Sequence, residues 1–342
     1  MGTIRYPWEH PPANGDVTKI AEDVMWLRLP LPMALDHVNI YILDDGDGWT
    51  IVDTGMKSHK VMEMWQYLID NTLASKPIKR VIATHHHPDH IGLHGWFVEN
   101  HGCEYISTQV AYLTARMLTL DKQEIYLQSQ IDFYRRAGMR ADLLENREAE
   151  SPFNFSDIVY PIPIGFKKIS EGDTIEMAGR TWDVRVDHGH APYHATFWSC
   201  DDSLVLSGDQ VIPSISSNIG VYPTEPDANP LAEWMSSCKR LQEFSRDDHL
   251  VLPGHKLPFI GMPLRLTQLL ENHRGALDRL RLDLKTPKSA GEVMPTIFKR
   301  SLGDSEYSLG LVEALAHCNY LWHAGEVDRI LSEDGSYKWQ IN

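Results

Sequence analysis

A chain of 342 residues, 42% of them hydrophobic, is long enough to bury one large core or to split into two domains. Its 47 acidic and 32 basic residues leave a net charge of -15, which repels phosphate backbones and makes nucleic acid a poor partner. No stretch reaches the roughly 18 apolar residues that span a bilayer as a helix, so no membrane-spanning helix is expected.

The start Met1-Gly2-Thr3-Ile4-Arg5-Tyr6 lacks the basic and apolar segments of an export signal. Tyr6 also stands where an acylation motif beginning at Gly2 requires Ser or Thr. Residues 6–15 are proline-rich and read as an irregular lead-in. Strand-like runs follow at 24–29 and 37–43, and the turn Asp44-Asp45-Gly46-Asp47-Gly48 leads into a third run that closes on Asp53-Thr54-Gly55. Helical spacing of Val61, Met64, Trp65 and Leu68 marks residues 61–73. Residues 80–83 then form a strand, and 92–99 a short helix in which His94 reads as a packing residue.

Residues 110–165 form a helical insertion, rich in helix formers before turning irregular and aromatic. Two roles fit it: a lid whose Phe133, Tyr134, Phe153 and Phe155 wall a substrate, or a structural brace or dimer contact. Further strand-like runs at 181–186, 204–206 and 250–252 come next. Beyond residue 262 the pattern changes to three helices, at 264–284, from 287, and at 309–323, with a two-stranded finish around Asp334-Gly335. Arg265, Arg274, Arg279, Arg281, Lys285 and Lys288 make this stretch locally basic, which reads as a solvated face of a packing or dimerisation unit. Cys103, Cys200, Cys238 and Cys318 are dispersed and read as reduced thiols of a cytoplasmic protein.

Chemistry concentrates in Thr84-His85-His86-His87-Pro88-Asp89-His90, directly after the 80–83 strand. Imidazole and carboxylate suit zinc and similar cations. In an extended stretch His85 and His87 point the same way, because side-chain direction repeats every two residues. Asp89 and His90 lie past the turn that Pro88 favours and can address a second point, so one loop can feed two ions. His188-Gly189-His190, Ser207-Gly208-Asp209 and Pro253-Gly254-His255 each place a ligand type just past an apolar strand, and Asp53 ends another. Such strand ends converge on one edge of a sheet, where α/β folds put their sites.

In that chain order, the HxHxDH run, the later Gly-His, the Gly-Asp and the Pro-Gly-His resemble the metallo-β-lactamase-fold hydrolases. The resemblance implies an α/β fold, a four-layer αββα sandwich over residues 1–262, with the three terminal helices and hairpin of 263–342 similar to a winged-helix appendage. It assigns His85, His87 and His190 to one divalent ion, Asp89, His90 and His255 to a second, Asp209 to a bridge between them, and Asp53 to orienting a ligand histidine. Two ions about 3.5 to 4 Å apart would activate a shared water as hydroxide, with Asp89 also accepting its proton; zinc is the expected metal, iron or manganese the alternatives. Tyr193 and His194 follow the His190 loop and are placed to meet an oxyanion or leaving group.

His87, Asp209 and Ile212 depart from the di-iron oxygen-reducing branch, the common zinc β-lactamases and the acyl-homoserine lactonases respectively, and residues 209–255 are too few for the extra domain of the large RNA-processing nucleases. What remains resembles glyoxalase-II-like hydrolases, so a small acyl substrate, a thioester, ester or lactone, is expected. A nuclease or phosphodiesterase, a mononuclear iron dioxygenase of the persulfide-oxidising kind, and a regulatory non-enzyme are the competing classes.

Overall fold

The computed structural model describes residues 3–342; Met1 and Gly2, on which the export and acylation readings partly rest, lie outside it. The chain begins with β1 (Val17–Ala21), β2 (Val24–Pro30), β3 (His37–Asp44), β4 (Trp49–Val52), α1 (His59–Asp70), β5 (Ile78–Ile82), α2 (Pro88–Ile91), α3 (His94–His101) and β6 (Glu104–Thr108). Next come α4 (Gln109–Leu120), α5 (Gln128–Arg136), α6 (Ala141–Ala149), α7 (Phe155–Ile158), β7 (Lys167–Ile169), β8 (Thr174–Met177), β9 (Arg180–Asp187), β10 (His194–Ser199) and β11 (Leu204–Gly208). The remainder is α8 (Pro230–Phe244), β12 (Leu250–Pro253), β13 (Phe259–Ile260), α9 (Met262–Asp283), α10 (Ala290–Phe298), α11 (Asp304–His323), β14 (Val327–Leu331) and β15 (Tyr337–Ile341).

Strands β1 to β7 make one sheet in sequence order, antiparallel through β4 and parallel from β4 to β7. The second sheet runs β13-β12-β11-β10-β9-β8, and β14 and β15 form a separate hairpin. Period-two alternation builds the layers. In β2 and β3, Val24, Trp26, Tyr41 and Leu43 face the space between the sheets, whereas Leu27, Leu29, Val38, Ile40 and Ile42 face the helices outside. The second sheet supplies Trp182, Val184, Phe197, Leu204, Leu206 and Leu252 to the inner layer and turns Trp198, Val205 and Val251 outward onto the helices beyond. The result is the expected four-layer αββα sandwich.

Three helices are started by a side-chain cap, with Asn229 accepting from the Ala232 N–H at 3.3 Å on α8. Ser58 caps α1 by accepting from the Val61 N–H at 3.2 Å, and Ser289 with Glu292 forms a reciprocal capping box on α10. The three terminal helices and hairpin form as read from the sequence, and they do not stand apart. Leu266, Leu277, Leu311 and Leu315 share one continuous core with Leu231, Trp234 and Leu241 of α8.

The insertion serves as a brace along α5 and α6. Phe133, Ala137 and Met139 are buried in that same C-terminal core, the Gly291 N–H donates to the Ala137 carbonyl at 3.0 Å, and Arg140 reaches Asp304 at 2.8 Å. Phe133 is thereby removed from the apolar substrate wall expected of it, and Phe155 is packed on the outer face of the first sheet. Tyr134 packs partly buried on the same C-terminal core, so Phe153 alone of the four aromatics is widely exposed. Among the described residues, no helix is long and apolar enough to cross a membrane, and the four cysteines are unpaired, three of them buried and Cys200 exposed.

Candidate metal centre

Every site loop leaves a strand at the same end of the two sheets. Asp53 follows β4, His85 and His87 follow β5, and Pro88 opens the single turn of α2 that carries Asp89 and His90. From the second sheet, His190 follows β9, Asp209 follows β11 and His255 follows β12. Backbone bonds tie the two edges together, the Ala195 N–H donating to the Thr84 carbonyl at 2.7 Å and the Asn39 N–H to the Gly254 carbonyl at 2.7 Å, and the Gly254 N–H donates to the Gly208 carbonyl at 2.8 Å within the second sheet. Two glycines are required by contact. At Gly189, φ is +101° and a Cβ would strike the Trp234 backbone; at Gly254 a Cβ would overlap Asp209 Oδ1 and crowd His90 Cε1.

The donors converge as two groups joined by a third. His85 Nε2 lies 2.9 Å from His87 Nδ1 and 3.3 Å from His190 Nε2. On the other side, His255 Nε2 lies 3.3 Å from Asp89 Oδ2, and His90 Nε2 lies 3.6 Å from the same oxygen. Asp209 sits between them, with Oδ1 3.4 Å from His90 Nε2 and Oδ2 3.2 Å from His255 Nε2 and 3.6 Å from His190 Nε2. All seven sequence-assigned positions are therefore brought together, and three overlapping sets of them are spaced to hold an ion.

The far side of each ring fixes which nitrogen is free. His90 Nδ1 meets Asp53 Oδ2 at 2.7 Å, His190 Nδ1 the Asn218 carbonyl at 2.8 Å, and His255 Nδ1 the His37 carbonyl at 2.7 Å. His85 Nδ1 meets the Thr84 hydroxyl at 2.9 Å, and that hydroxyl donates to Asp53 at 2.8 Å. These oxygens accept, so each Nδ1 carries the hydrogen and each Nε2 turns a lone pair inward. His90 Nε2 and Asp209 Oδ1 are buried with no hydrogen-bond partner, a costly arrangement unless a cation meets them. The donor set thus fits divalent metal.

The profile of the Metallo-beta-lactamase superfamily matches residues 33–255, and that of the Metallo-beta-lactamase-like, C-terminal domain matches 277–342. The chain belongs to the metallo-β-lactamase superfamily. It is 35% identical to a β-lactamase domain protein from Burkholderia ambifaria, whose crystal structure superposes with a TM-score of 0.89 over 99% of this chain and 97% of that one. A metallo-β-lactamase family protein from Thermus thermophilus gives a TM-score of 0.79 at 25% identity, covering 95% of this chain and 100% of that one. A probable metallo-hydrolase, YqjP of Bacillus subtilis, is 26% identical over 88% of this chain and 92% of its own length. An atrochrysone carboxyl ACP thioesterase from Aspergillus fumigatus is 26% identical over 75% of this chain, which spans 46% of that protein. The histidine and aspartate clusters and the family together make this chain a metallo-hydrolase of the β-lactamase fold.

Electrostatics divide across this metallo-β-lactamase site: against burial, Asp209 and Asp89 raise His90 well above the ordinary imidazole value and His255 to about 10, so these two rings hold protons that a bound cation would displace. Burial, then the neighbouring His90 and His87, push His85 well below the ordinary imidazole value and keep it neutral. Burial opposes the ionisation of Asp209, yet His255 and His90 outweigh it and hold that carboxyl well below its usual range.

The substrate-side expectations divide. His194 is fully buried, stacked on His85 at 4.6 Å, and its Nε2 accepts the Asp209 N–H at 3.1 Å. The oxyanion role read for it gives way to a packing one, because no surface is left to meet a substrate. Tyr193 is 46% exposed, at φ +53°, edge-on to His188, and it borders a groove of about 1000 Å³ with Lys168, Glu171 and Arg240. Thr84, Asn218 and His37 orient ligands but went unread in the sequence. Thr84 could have been found, since it directly precedes His85, whereas Asn218 and His37 act through backbone carbonyls that leave no trace in residue type.

Proposed function

We propose that this protein is a dinuclear metal-dependent hydrolase that cleaves a carboxylic thioester, ester or lactone of small size. The observation that carries the reading is the position of Asp209, within 3.6 Å of His90, His190 and His255, so one carboxylate is shared by both triads. His85, His87 and His190 would hold one ion, Asp89, His90 and His255 the other, with zinc favoured by the imidazole-rich set. Ions bound there supply Lewis acidity and a water whose pKa falls toward ~7.

The protein's own groups do the rest. Asp53 keeps His90 and Thr84 aligned through two bonds of 2.7 and 2.8 Å, so the ligand rings need no reorganisation during turnover. Asp89, partly exposed where Asp209 is not, is placed to hold a proton at its carboxylate during attack and release. His194 fills the space behind His85 and excludes water from that side. Tyr193, exposed three residues after His190 and edge-on to His188, is the candidate contact for the acyl or leaving-group arm.

Charge supports acyl chemistry over nucleic-acid cutting. The basic residues near α9 are engaged internally: Arg279 donates to the Thr296, Gly275 and Ile297 carbonyls, Arg281 pairs with Glu326, and Lys288 pairs with Asp283. The thioesterase named among the relatives points the same way. The test is a substrate panel of acyl-CoA, glutathione thioester, lactone and phosphodiester compounds given to the metal-loaded protein. Turnover confined to the acyl compounds is the expected result, and turnover confined to the phosphodiester would refute it.

A further inference from the structure

Between β11 and α8, residues 209–229 have no regular secondary structure, yet Val211, Ile212, Ser217, Ile219 and Val221 are buried. Buried irregular backbone must find partners outside itself. Here the C-terminal unit supplies them. From α9, Arg265 donates to the Ile212 and Ile215 carbonyls, both at 2.7 Å, and His273 Nε2 meets the Ser216 hydroxyl at 3.1 Å. From α11, the Val312 carbonyl accepts the Val221 N–H at 3.1 Å, and the Leu309 carbonyl and Glu313 carboxylate accept from the Asn218 amide at 3.2 and 2.9 Å.

This clamped segment touches the metal centre at two places. The Asn218 carbonyl takes the His190 Nδ1 hydrogen at 2.8 Å, and the Ser217 hydroxyl donates to the Asp209 carbonyl. Asn218 is thus gripped by its side chain from α11 and orients a ligand ring with its backbone. Its amide sits in the line Glu313, Asn218, His190, and a shift of the amide turns the Nε2 lone pair of His190.

We propose that Glu313 is a positioning residue for metal binding, and that the C-terminal unit acts through it as an outer layer of the metal site. The proposal rests on the reading of His190 and Asp209 as metal ligands. Glu313 touches no ligand itself. It fixes Asn218, and Asn218 fixes His190, so its loss should loosen the metal without removing any donor. Outer partners of ligand histidines are commonly worth about 10- to 100-fold in metal affinity.

The test uses the full chain and Co²⁺ as the probe, with affinity read by chelator competition and ligand geometry by the visible Co²⁺ spectrum. Glu313→Ala should weaken Co²⁺ binding by about 10- to 100-fold and alter the spectrum. Glu313→Gln retains an oxygen that accepts from the Asn218 amide, and it should restore both to near the unmodified values. Glu326→Ala, which breaks the Arg281 pair in the same C-terminal unit away from the segment, should leave both unchanged. Should Glu313→Ala fail to fold, Asn218→Ala, which removes the gripped amide and keeps the carbonyl, must show the same loss. An unmodified affinity in the alanine variants, an equal loss in Glu326→Ala, or no recovery in Glu313→Gln would overturn the proposal. An unmodified chain that binds no Co²⁺ would overturn the ligand reading along with it, whereas tight binding indifferent to Glu313 overturns this inference alone.

Discussion

Asp209 and His255 differ in what each could lose. Asp209 faces three histidines across the two triads, whereas His255 belongs to one triad only. Asp209→Ala is therefore expected to lower kcat by several orders of magnitude and to deplete metal from both positions, while His255→Ala keeps measurable turnover because water can stand in for one terminal ligand. Steady-state kinetics with metal analysis on both variants checks this, and equal metal content and turnover in Asp209→Ala would contradict it. Gly254→Ala probes the same point by shape. Its new methyl would overlap Asp209 Oδ1 and crowd His90, so metal affinity should fall at least about tenfold with the ligands all present. Equilibrium dialysis returning the unmodified affinity would show that the cradle is not tight. The ligand residues were legible in the sequence because their type carries their chemistry. Asn218 and His37 were not, since a carbonyl that orients a ring can belong to any residue.

At the level of elements, α9 and α11 meet through two buried histidines. His273 Nδ1 lies 3.2 Å from His317 Nε2, their rings stack at 5.3 Å, and His317 Nδ1 bonds the Glu313 carbonyl at 2.8 Å. Burial, and then its neighbour, pushes His273 down to about 3, and burial pushes His317 down to about 4, from the ordinary 6.5. The folded state thus holds both neutral while the unfolded chain protonates them as pH falls. The stability they lend is complete above pH 6.5 and is lost on the way down, toward about 4 for His317 and about 3 for His273. By pH 5 the loss is about 2 kcal/mol for each histidine. Replacing both with Gln should flatten that part of the acid limb, measured as the difference in unfolding free energy between pH 7 and pH 5. An unchanged difference would show that these rings are not the groups titrating. Strong periodicity made α9 and α11 legible beforehand. β1, β6, β7, β8, β10 and β13 escaped for different reasons: β1 and β7 alternate burial weakly, β8 and β13 are only four and two residues long, and β6 and β10 are buried along almost their whole length and so show no alternation.

For the whole molecule, the acidic balance and the internal engagement of Arg265, Arg279, Arg281 and Lys288 leave only the exposed Arg274 and Lys285 of the six basic residues near α9 to face a phosphate backbone. RNA is expected to bind weakly and to survive incubation at physiological salt, checked by a gel assay with metal-loaded protein; robust cutting lost on neutralising Arg279 and Arg281 would contradict this. The convergence of the ligands on one sheet edge was legible because ligand motifs recur after apolar strands, whereas the four-layer architecture was legible only through the family that their order resembles. The joining of α5 and α6 to the C-terminal core was not, because Phe133 and Met139 look the same in a sequence whether they cover a substrate or a neighbouring helix. The central claim is that one shared carboxylate unites two ion positions. Elemental analysis of the purified chain beside Asp89→Ala and His255→Ala tests it most directly. The expected result is about two metal ions per unmodified chain and about one in each variant; a single tightly held ion, unchanged in both variants, would contradict it.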